Sequence, residues 1–195
     1  MIAYLEGKLT MKSPTSVFID VGGIAYAVNI SLHTYGKLEE LDKAKLFTHM
    51  IVRETEQSLY GFFDLEEREL FSKLIQVKGI GPNTARVILS YMTPQETKSA
   101  ILHDNVPAFK KVKGVGPKTA QQIILDLKNK IAKESLEGDT SIKIVSNSIR
   151  EEAISALIAL GFQKSRVAKT VDKSLSQDAS LDQVENLIKA VLKQL

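Results

Sequence analysis

Apolar and polar residues alternate along the first third of the chain, which is the pattern of half-buried β-strands. Val17, Ile19 and Val21 fall on one face of such a strand, and Gly22-Gly23 then predicts a tight hairpin turn. Other strand-like runs cover residues 2–11, 24–30, 45–53 and 58–63, and a short helical run covers 32–41. Five short strands with one helix predict a small barrel within residues 1–64.

The period changes to that of a helix in the region from residue 65 to residue 134. Apolar residues there recur at spacings of three or four positions, as at Leu70, Leu74 and Val77 and again at Ala85, Ile88 and Leu89. This region is therefore predicted to be all-α.

The remainder of the chain divides into a linker and a second helical region. Residues 135–147 have no clear period and are rich in Ser, Gly, Asp and Thr, which predicts a flexible linker. Residues 148–195 are helical again, with Gly161 as the expected end of a first helix and two more helices after it.

A duplicated segment stands out in the central region, because residues 77–88 and 112–123 match at a spacing of 35 positions. Each copy runs from an apolar helix end through Gly, an aliphatic residue, Gly and Pro into a second helix. The first glycine, Gly79 or Gly114, can leave a helix in the left-handed region of backbone space. The aliphatic residue between the glycines can anchor the bend in the core.

The second glycine of each copy, Gly81 or Gly116, leaves the start of the next helix uncovered. The amides there have no partner within the helix and form a site for a phosphate oxygen. Side chains that can add positive charge or a hydroxyl donor around these two bends are Lys78, Thr84, Arg86, Lys113, Lys118 and Thr119. Such contacts hold a nucleic-acid backbone and read no bases.

Nucleotide-binding loops do not fit these segments. A dinucleotide-binding loop follows a strand and has a third glycine, whereas Gly79 follows a helix and position 84 is Thr. A P-loop has glycine directly before its lysine, and here Pro117 precedes Lys118.

Charge and composition narrow the chemistry further. Residues 65–134 hold twelve Lys and Arg against seven Asp and Glu, so a net charge of +5 favours a polyanionic partner. The absence of Cys excludes disulfides and Cys-ligated metals and is typical of a cytoplasmic protein. His33, His49 and His103 belong to no motif, so no catalytic centre, metal site or cofactor is predicted. No apolar run approaches the about 20 residues of a membrane span.

The paired segments VKGIGPNTA and VKGVGPKTA resemble two helix-hairpin-helix motifs, a DNA-backbone grip without sequence specificity. With the opening MIAYLEGKL, the run SLYGFFD and the later ALIALGF, the whole chain resembles the RuvA family of bacterial Holliday-junction-binding proteins. The resemblance implies an α+β, multidomain chain with an OB-fold barrel at 1–64 and a tandem helix-hairpin-helix domain at 65–134. A three-helix, UBA-like bundle at 148–195 is expected after the linker.

The resemblance also implies which residues act. The hairpin residues carried over from the family pattern are Gly79, Gly81, Asn83, Thr84, Gly114, Gly116, Lys118 and Thr119. An acidic pin of two neighbouring carboxylates is expected in the turn between the last two barrel strands. Here the usual Glu-Asp pair is Glu54-Thr55, with a second acid at Glu56, and the role is assigned first to Glu54.

The implied assembly is a homotetramer, or paired tetramers, that holds a four-way junction flat and has no catalytic centre of its own. Branch migration would use the RuvB hexameric ATPase, recruited by the third domain, and RuvC resolvase is implied as a further partner. The last region has many apolar residues for its size, and the expected partner-facing set is Leu157, Leu160, Phe162 and Leu192. The alternatives are a general DNA-backbone-binding adaptor and an accessory protein of a helix-hairpin-helix nuclease or glycosylase.

Overall fold

The computed structural model describes residues 2–138, 145–177 and 183–194, and in 134–138 and 145–148 it describes the backbone only. Two compact units divide the chain, Met1–Glu137 and Gly138–Leu195. The first unit contains both the barrel and the central helices.

A closed barrel begins the first unit, as the alternation of the sequence predicts. Its elements are β1 (Tyr4–Ser13), β2 (Ser16–Val21), β3 (Ile24–Asn29), α1 (Leu32–Leu38), β4 (Lys43–Val52) and β5 (Gln57–Phe62). The strand order is β1-β2-β3-β5-β4, which with the single helix between β3 and β4 is the OB-fold. Val17 and Ile19 are fully buried in it, whereas Val21 is exposed at the end of its strand. Gly22 and Gly23 have positive φ, which confirms the tight turn.

The barrel closes through one short parallel pairing between β3 and β5, in which Asn29 stands opposite Tyr60. The other strand pairs of the barrel are antiparallel. Closure removes the exposed strand edges that an open sheet would leave.

Five helices follow the barrel in the first unit. They are α2 (Leu65–Leu74), α3 (Pro82–Tyr91), α4 (Pro94–Leu102), α5 (Val106–Lys110) and α6 (Pro117–Gly138). The apolar positions that predicted them form one core, which includes Leu70, Leu74 and Ile88. Tyr60 and Phe62 of β5 belong to that helical core rather than to the barrel core.

A buried carboxylate also joins the helices to the barrel. Glu67 on α2 is fully buried and accepts hydrogen bonds from the Ser31 and Thr34 hydroxyls at α1, the second over 2.6 Å. Thr34 Oγ1 in turn accepts from the Phe63 amide at 3.0 Å. Burial raises the pKa of Glu67.

The linker expected at 135–147 is helical at both of its ends. Helix α6 continues to Gly138, and α7 begins at Val145. Residues 139–144 lie outside the described residues.

The second unit consists of three helices in its described ranges, α7 (Val145–Ala159), α8 (Lys164–Gln177) and α9 (Val184–Leu192). Gly161 has a φ of +97°, and the Phe162 amide donates to the Leu157 carbonyl at 3.1 Å. This is the Schellman arrangement, so the predicted helix end at Gly161 is confirmed.

One of the partner-facing assignments in this unit is wrong. Leu157 is fully buried among the three helices, because it lies on the same face of α7 as Ala153 and Ile154. Leu160 follows the last residue of α7 and is 63% exposed, and Phe162 and Leu192 are exposed as well.

Candidate nucleic-acid interface

Two helix-hairpin-helix bends lie in the first unit and have nearly the same geometry. Hairpin 1 is the bend from α2 to α3, residues 75–81, and hairpin 2 is the bend from α5 to α6, residues 111–116. Gly79 and Gly114 have φ values of +89° and +91°. Ile80 and Val115 are buried to 5% and 6% exposure and anchor the bends, as the sequence predicts.

The second glycine of each hairpin is needed neither for conformation nor for internal packing. Gly81 is the N-cap of α3 with φ −88° and ψ 169°, a conformation open to any residue, and Gly116 has no positive φ. Apart from its neighbours in sequence, a Cβ atom on either glycine would meet no atom of the described residues within 4 Å. Glycine at these positions therefore keeps the space before the helix open to something outside the chain.

The helix starts behind these glycines carry unpaired donors. Gly81 has no side chain to cap α3, and Pro82 and Pro117 take the first helical position, where a missing N–H costs no hydrogen bond. The next amides of each helix have no partner within the helix. Together with the helix dipole they favour an anion at this point.

The two hairpins lie side by side. A methyl group placed on Gly79 would lie 3.8 Å from Oγ1 of Thr119, which belongs to the start of α6. The structure thus brings the bend of hairpin 1 close to the start of the helix that follows hairpin 2. Exposed lysines of these two bends, of the end of α5 and of the start of α6 are Lys78, Lys110, Lys111, Lys113 and Lys118, and Thr84 and Thr119 are half-buried beside them.

Arg86 does not point its charge into this surface, contrary to the prediction. Its guanidinium donates from Nη1 to the Thr15 carbonyl at 2.9 Å and to Oδ1 of Asn29 at 3.4 Å, both in the barrel. The reason is its place on α3, on the face that packs against the barrel.

Asn83 has a partner in the barrel as well. The Tyr60 hydroxyl donates to Oδ1 of Asn83 at 3.4 Å, and burial raises the pKa of Tyr60, so this hydroxyl stays protonated. An amide whose oxygen is occupied in this way presents its NH₂ donors elsewhere. Tyr60 and Asn29 were not among the predicted site residues. The signal that could have indicated them is the spacing of three polar residues on α3, Asn83, Arg86 and Ser90, which places them on one face of the helix.

The predicted acidic turn lies in the barrel, between β4 and β5, and each of its residues is exposed. Its two acids differ in their surroundings. Glu56 accepts from the Ser58 hydroxyl at 3.0 Å and lies 4.0 Å from Nη1 of Arg53, whereas Glu54 stands at the tip of the turn. Glu54 is thus the acid of this turn whose charge is least compensated among the described residues.

No group of three His, Asp or Glu side chains that could hold a metal ion occurs in the described part of the chain. Within the same ranges, no helix is both long and apolar enough to cross a membrane.

Comparison with known proteins now gives the family. Family models described as "RuvA N terminal domain", "SAM-like Helix-hairpin-helix tandem" and "RuvA, C-terminal domain" match residues 1–61, 71–129 and 148–195. A relative from Cytophaga hutchinsonii named Holliday junction branch migration complex subunit RuvA is 45% identical over 99% of both chains. The chain belongs to the RuvA family.

Other members of the RuvA family cover the chain just as fully. Relatives from Flavobacterium psychrophilum and Parabacteroides distasonis, with the same name, are 47% and 43% identical over all of both chains. The RuvA-specific models match the barrel and the last helices, and the general hairpin model matches the region between them. The paired bends thus lie in the region matched by a model whose description does not name RuvA.

Proposed function

We propose that this chain is the DNA-binding subunit of a branch migration complex and that it holds a Holliday junction open and flat. The proposal rests on the two helix starts that Gly81 and Gly116 leave open. Neither backbone conformation nor internal packing requires glycine at these two positions. Two such starts side by side match two phosphates of a DNA backbone. The five exposed lysines around them add the long-range attraction.

The barrel supports self-association into a homotetramer, which gives the junction its four-fold centre. Met11, Phe18 and Ala27 stand opposite one another on neighbouring strands and are all exposed. Val52, beside the acidic turn, is exposed too. An outward apolar strip of this kind is typical of a protein contact. The proposed assembly on the junction is one homotetramer or a pair of them.

The acidic turn acts in this proposal as the pin. Four copies of Glu54 near a shared centre would repel the strands that meet there and help to separate bases during migration. Glu56 contributes less, because Arg53 and Ser58 hold it.

The last three helices would recruit the motor. Leu160, Phe162 and Leu192 are exposed apolar residues on a small helical unit, and Ile158, two residues before Leu160, is exposed as well. Such residues fit a protein partner. The chain itself would be non-catalytic and would act in the cytoplasm, with ATP hydrolysis supplied by RuvB and with RuvC as a further partner.

The test substitutes aspartate for the second glycine of each hairpin. Aspartate caps a helix well, so Gly81→Asp and Gly116→Asp are expected to keep the fold, yet each carboxylate would occupy the amides and repel phosphate. We expect each variant to lose on the order of a hundredfold in affinity for a synthetic four-way junction.

The matched control is Thr93→Asp, which places the same charge at the N-cap of α4, outside the hairpins. Binding is measured against linear duplex at the same salt concentration, with thermal unfolding as the check on folding. Wild-type affinity in both glycine variants would overturn the amide–phosphate contact. Equal affinity of the wild type for junction and duplex would favour a general adaptor, and cleavage or base loss would indicate an enzyme.

A further inference from the structure

One face of α3 is polar and lies against the barrel. Asn83, Arg86 and Ser90 follow one another at spacings of three and four residues, so they share one side of the helix. Each of the three hydrogen-bonds to a barrel residue. We call this contact the α3 seam.

Arg86 occupies the middle of the α3 seam. It joins the β1–β2 turn, through the Thr15 carbonyl, to Asn29 at the end of β3. Asn29 is held in turn, because its Nδ2 donates to the Leu59 carbonyl of β5 at 3.2 Å. Arg86 therefore binds where the barrel closes, at the one point where β3 pairs with β5.

Asn83 and Ser90 fix the two ends of the α3 seam. Asn83, two residues after Gly81, accepts from Tyr60. Ser90 Oγ accepts from the Leu32 amide at 3.0 Å, at the start of α1. Contacts at three heights along α3 resist rotation of the helix about its own axis.

Apolar packing across the same boundary is less directional. Tyr60 and Phe62 pack on Phe71 with ring centroids 5.1 and 4.9 Å apart. Burial of apolar area favours contact but is not directional, whereas a hydrogen bond loses strength steeply as its angle changes. The α3 seam is thus the part of the boundary that can set an angle.

We propose that Arg86 is a positioning residue that sets the angle of hairpin 1 to the barrel and thereby the preference for a four-way junction over linear duplex. This inference rests on the proposed function, in which barrels form the junction centre and hairpins hold the arms. A linear duplex needs only a pair of hairpins that fits one backbone. A junction needs four such pairs at a common angle to the centre, so an error in that angle acts on all four arms.

The experiment uses the full chain with Arg86→Ala, Arg86→Lys and wild type. Dissociation constants are measured over a range of salt concentrations for a synthetic four-way junction and for a linear duplex of one arm's sequence. If each arm loses a factor of about two, the junction loses about sixteenfold while the duplex changes about twofold or less. Arg86→Lys should recover part of the preference, because an ammonium group still reaches one acceptor.

Lys118→Ala is the control, since loss of a phosphate contact should reduce the slope of log duplex affinity against log salt by about 0.9, whereas Arg86→Ala should leave that slope unchanged. An unchanged junction-to-duplex ratio in a folded Arg86→Ala protein would overturn the inference. A reduced salt slope on the duplex in Arg86→Ala would also overturn it, because Arg86 would then act as a phosphate contact. A wild type with no junction preference would refute the proposed function instead.

A second variant covers the case in which Arg86→Ala does not fold. Ser90→Ala removes the acceptor for the Leu32 amide and the hydroxyl that donates to the Arg86 carbonyl at 2.8 Å, and it leaves the guanidinium in place. A smaller loss of the ratio in the same direction would support the inference. If Arg86→Ala does not fold and Ser90→Ala keeps the wild-type junction-to-duplex ratio, the inference that the α3 seam sets the angle is overturned.

Discussion

Hairpin 1 and hairpin 2 have the same backbone but different surroundings. Their left-handed glycines differ by 2° in φ, and their anchoring aliphatic residues differ by one percentage point in exposure. The face of α3 that bears Asn83, Arg86 and Ser90 packs on the barrel. The equivalent face of α6, 35 residues later, bears Lys118, Gln121 and Leu125, and all three are exposed.

The difference shows how one duplicated motif can take two tasks. Hairpin 1 uses its polar helix face for attachment, so its direction relative to the barrel is fixed. The equivalent face of α6 is exposed to solvent and carries a positive charge, because Lys118 takes the place of Asn83 directly after the proline. One bend is therefore suited to setting direction and the other to electrostatic attraction.

The largest effect expected on this comparison is a loss of stability that is equal in both hairpins. Gly79→Ala and Gly114→Ala each place a Cβ in a left-handed conformation, at a cost of about 1–2 kcal/mol. Neither Cβ meets a tight contact, so the two losses in the free energy of unfolding should agree within about 0.5 kcal/mol. Urea unfolding followed by circular dichroism measures both.

A clearly smaller loss at Gly79 would mean that attachment to the barrel relieves the strain in hairpin 1. That result would break the equivalence of the two bends.

A charge exchange between the hairpins should have the next largest effect. Lys118→Asn should weaken duplex binding about three- to tenfold and reduce the slope of log affinity against log salt by about 0.9. Asn83→Lys should raise the slope with a smaller gain in affinity, because it gives up the contact with Tyr60.

The control for this exchange is Lys130→Asn, which removes the same charge from an exposed position of α6 about 20 Å along the helix. Salt titrations by fluorescence anisotropy compare the three variants. Equal slopes for Lys118→Asn and Lys130→Asn would contradict a phosphate contact at Lys118.

The last effect concerns the carboxylate that joins α2 of hairpin 1 to the barrel. Because burial raises the pKa of Glu67, the fold favours its neutral form. The stability this gives is full below the ordinary glutamate pKa and is lost as pH rises through the raised pKa, at no more than about 1.4 kcal/mol per pH unit.

Glu67→Gln should remove that decline, and unfolding curves across the same pH interval would show it. The exposed Glu69→Gln on the same helix is the control and should keep the wild-type decline. Parallel curves for wild type and Glu67→Gln would show that Glu67 does not titrate in this interval.

Much of the fold and of the site follows from local pattern. Gly22-Gly23 and Gly161 mark a turn and a helix end because a positive φ suits glycine far better than other residues. Gly79 and Gly114 were predictable for the same reason, and Ile80 and Val115 because an apolar residue between two glycines has only the core to occupy.

The remainder depends on contacts between distant segments, which no local pattern contains. Arg86 is a cation beside a phosphate-binding bend, and only the barrel shows that Thr15, 71 residues earlier in the chain, is its acceptor. Leu157 belongs to an apolar stripe, and only the packing of three helices shows which of its members lie inside.

The shared core at the end of β5 bears on how this chain can be divided into fragments. The change of period along the sequence suggests a cut between residues 64 and 65, yet Tyr60 and Phe62 on the barrel side complete the interior of the helices. A fragment starting at Leu65 would lose two aromatic side chains, each of which typically buries about 150–250 Å². A fragment that contains only the hairpins should therefore start before β5, although β5 would then lack its partner strands.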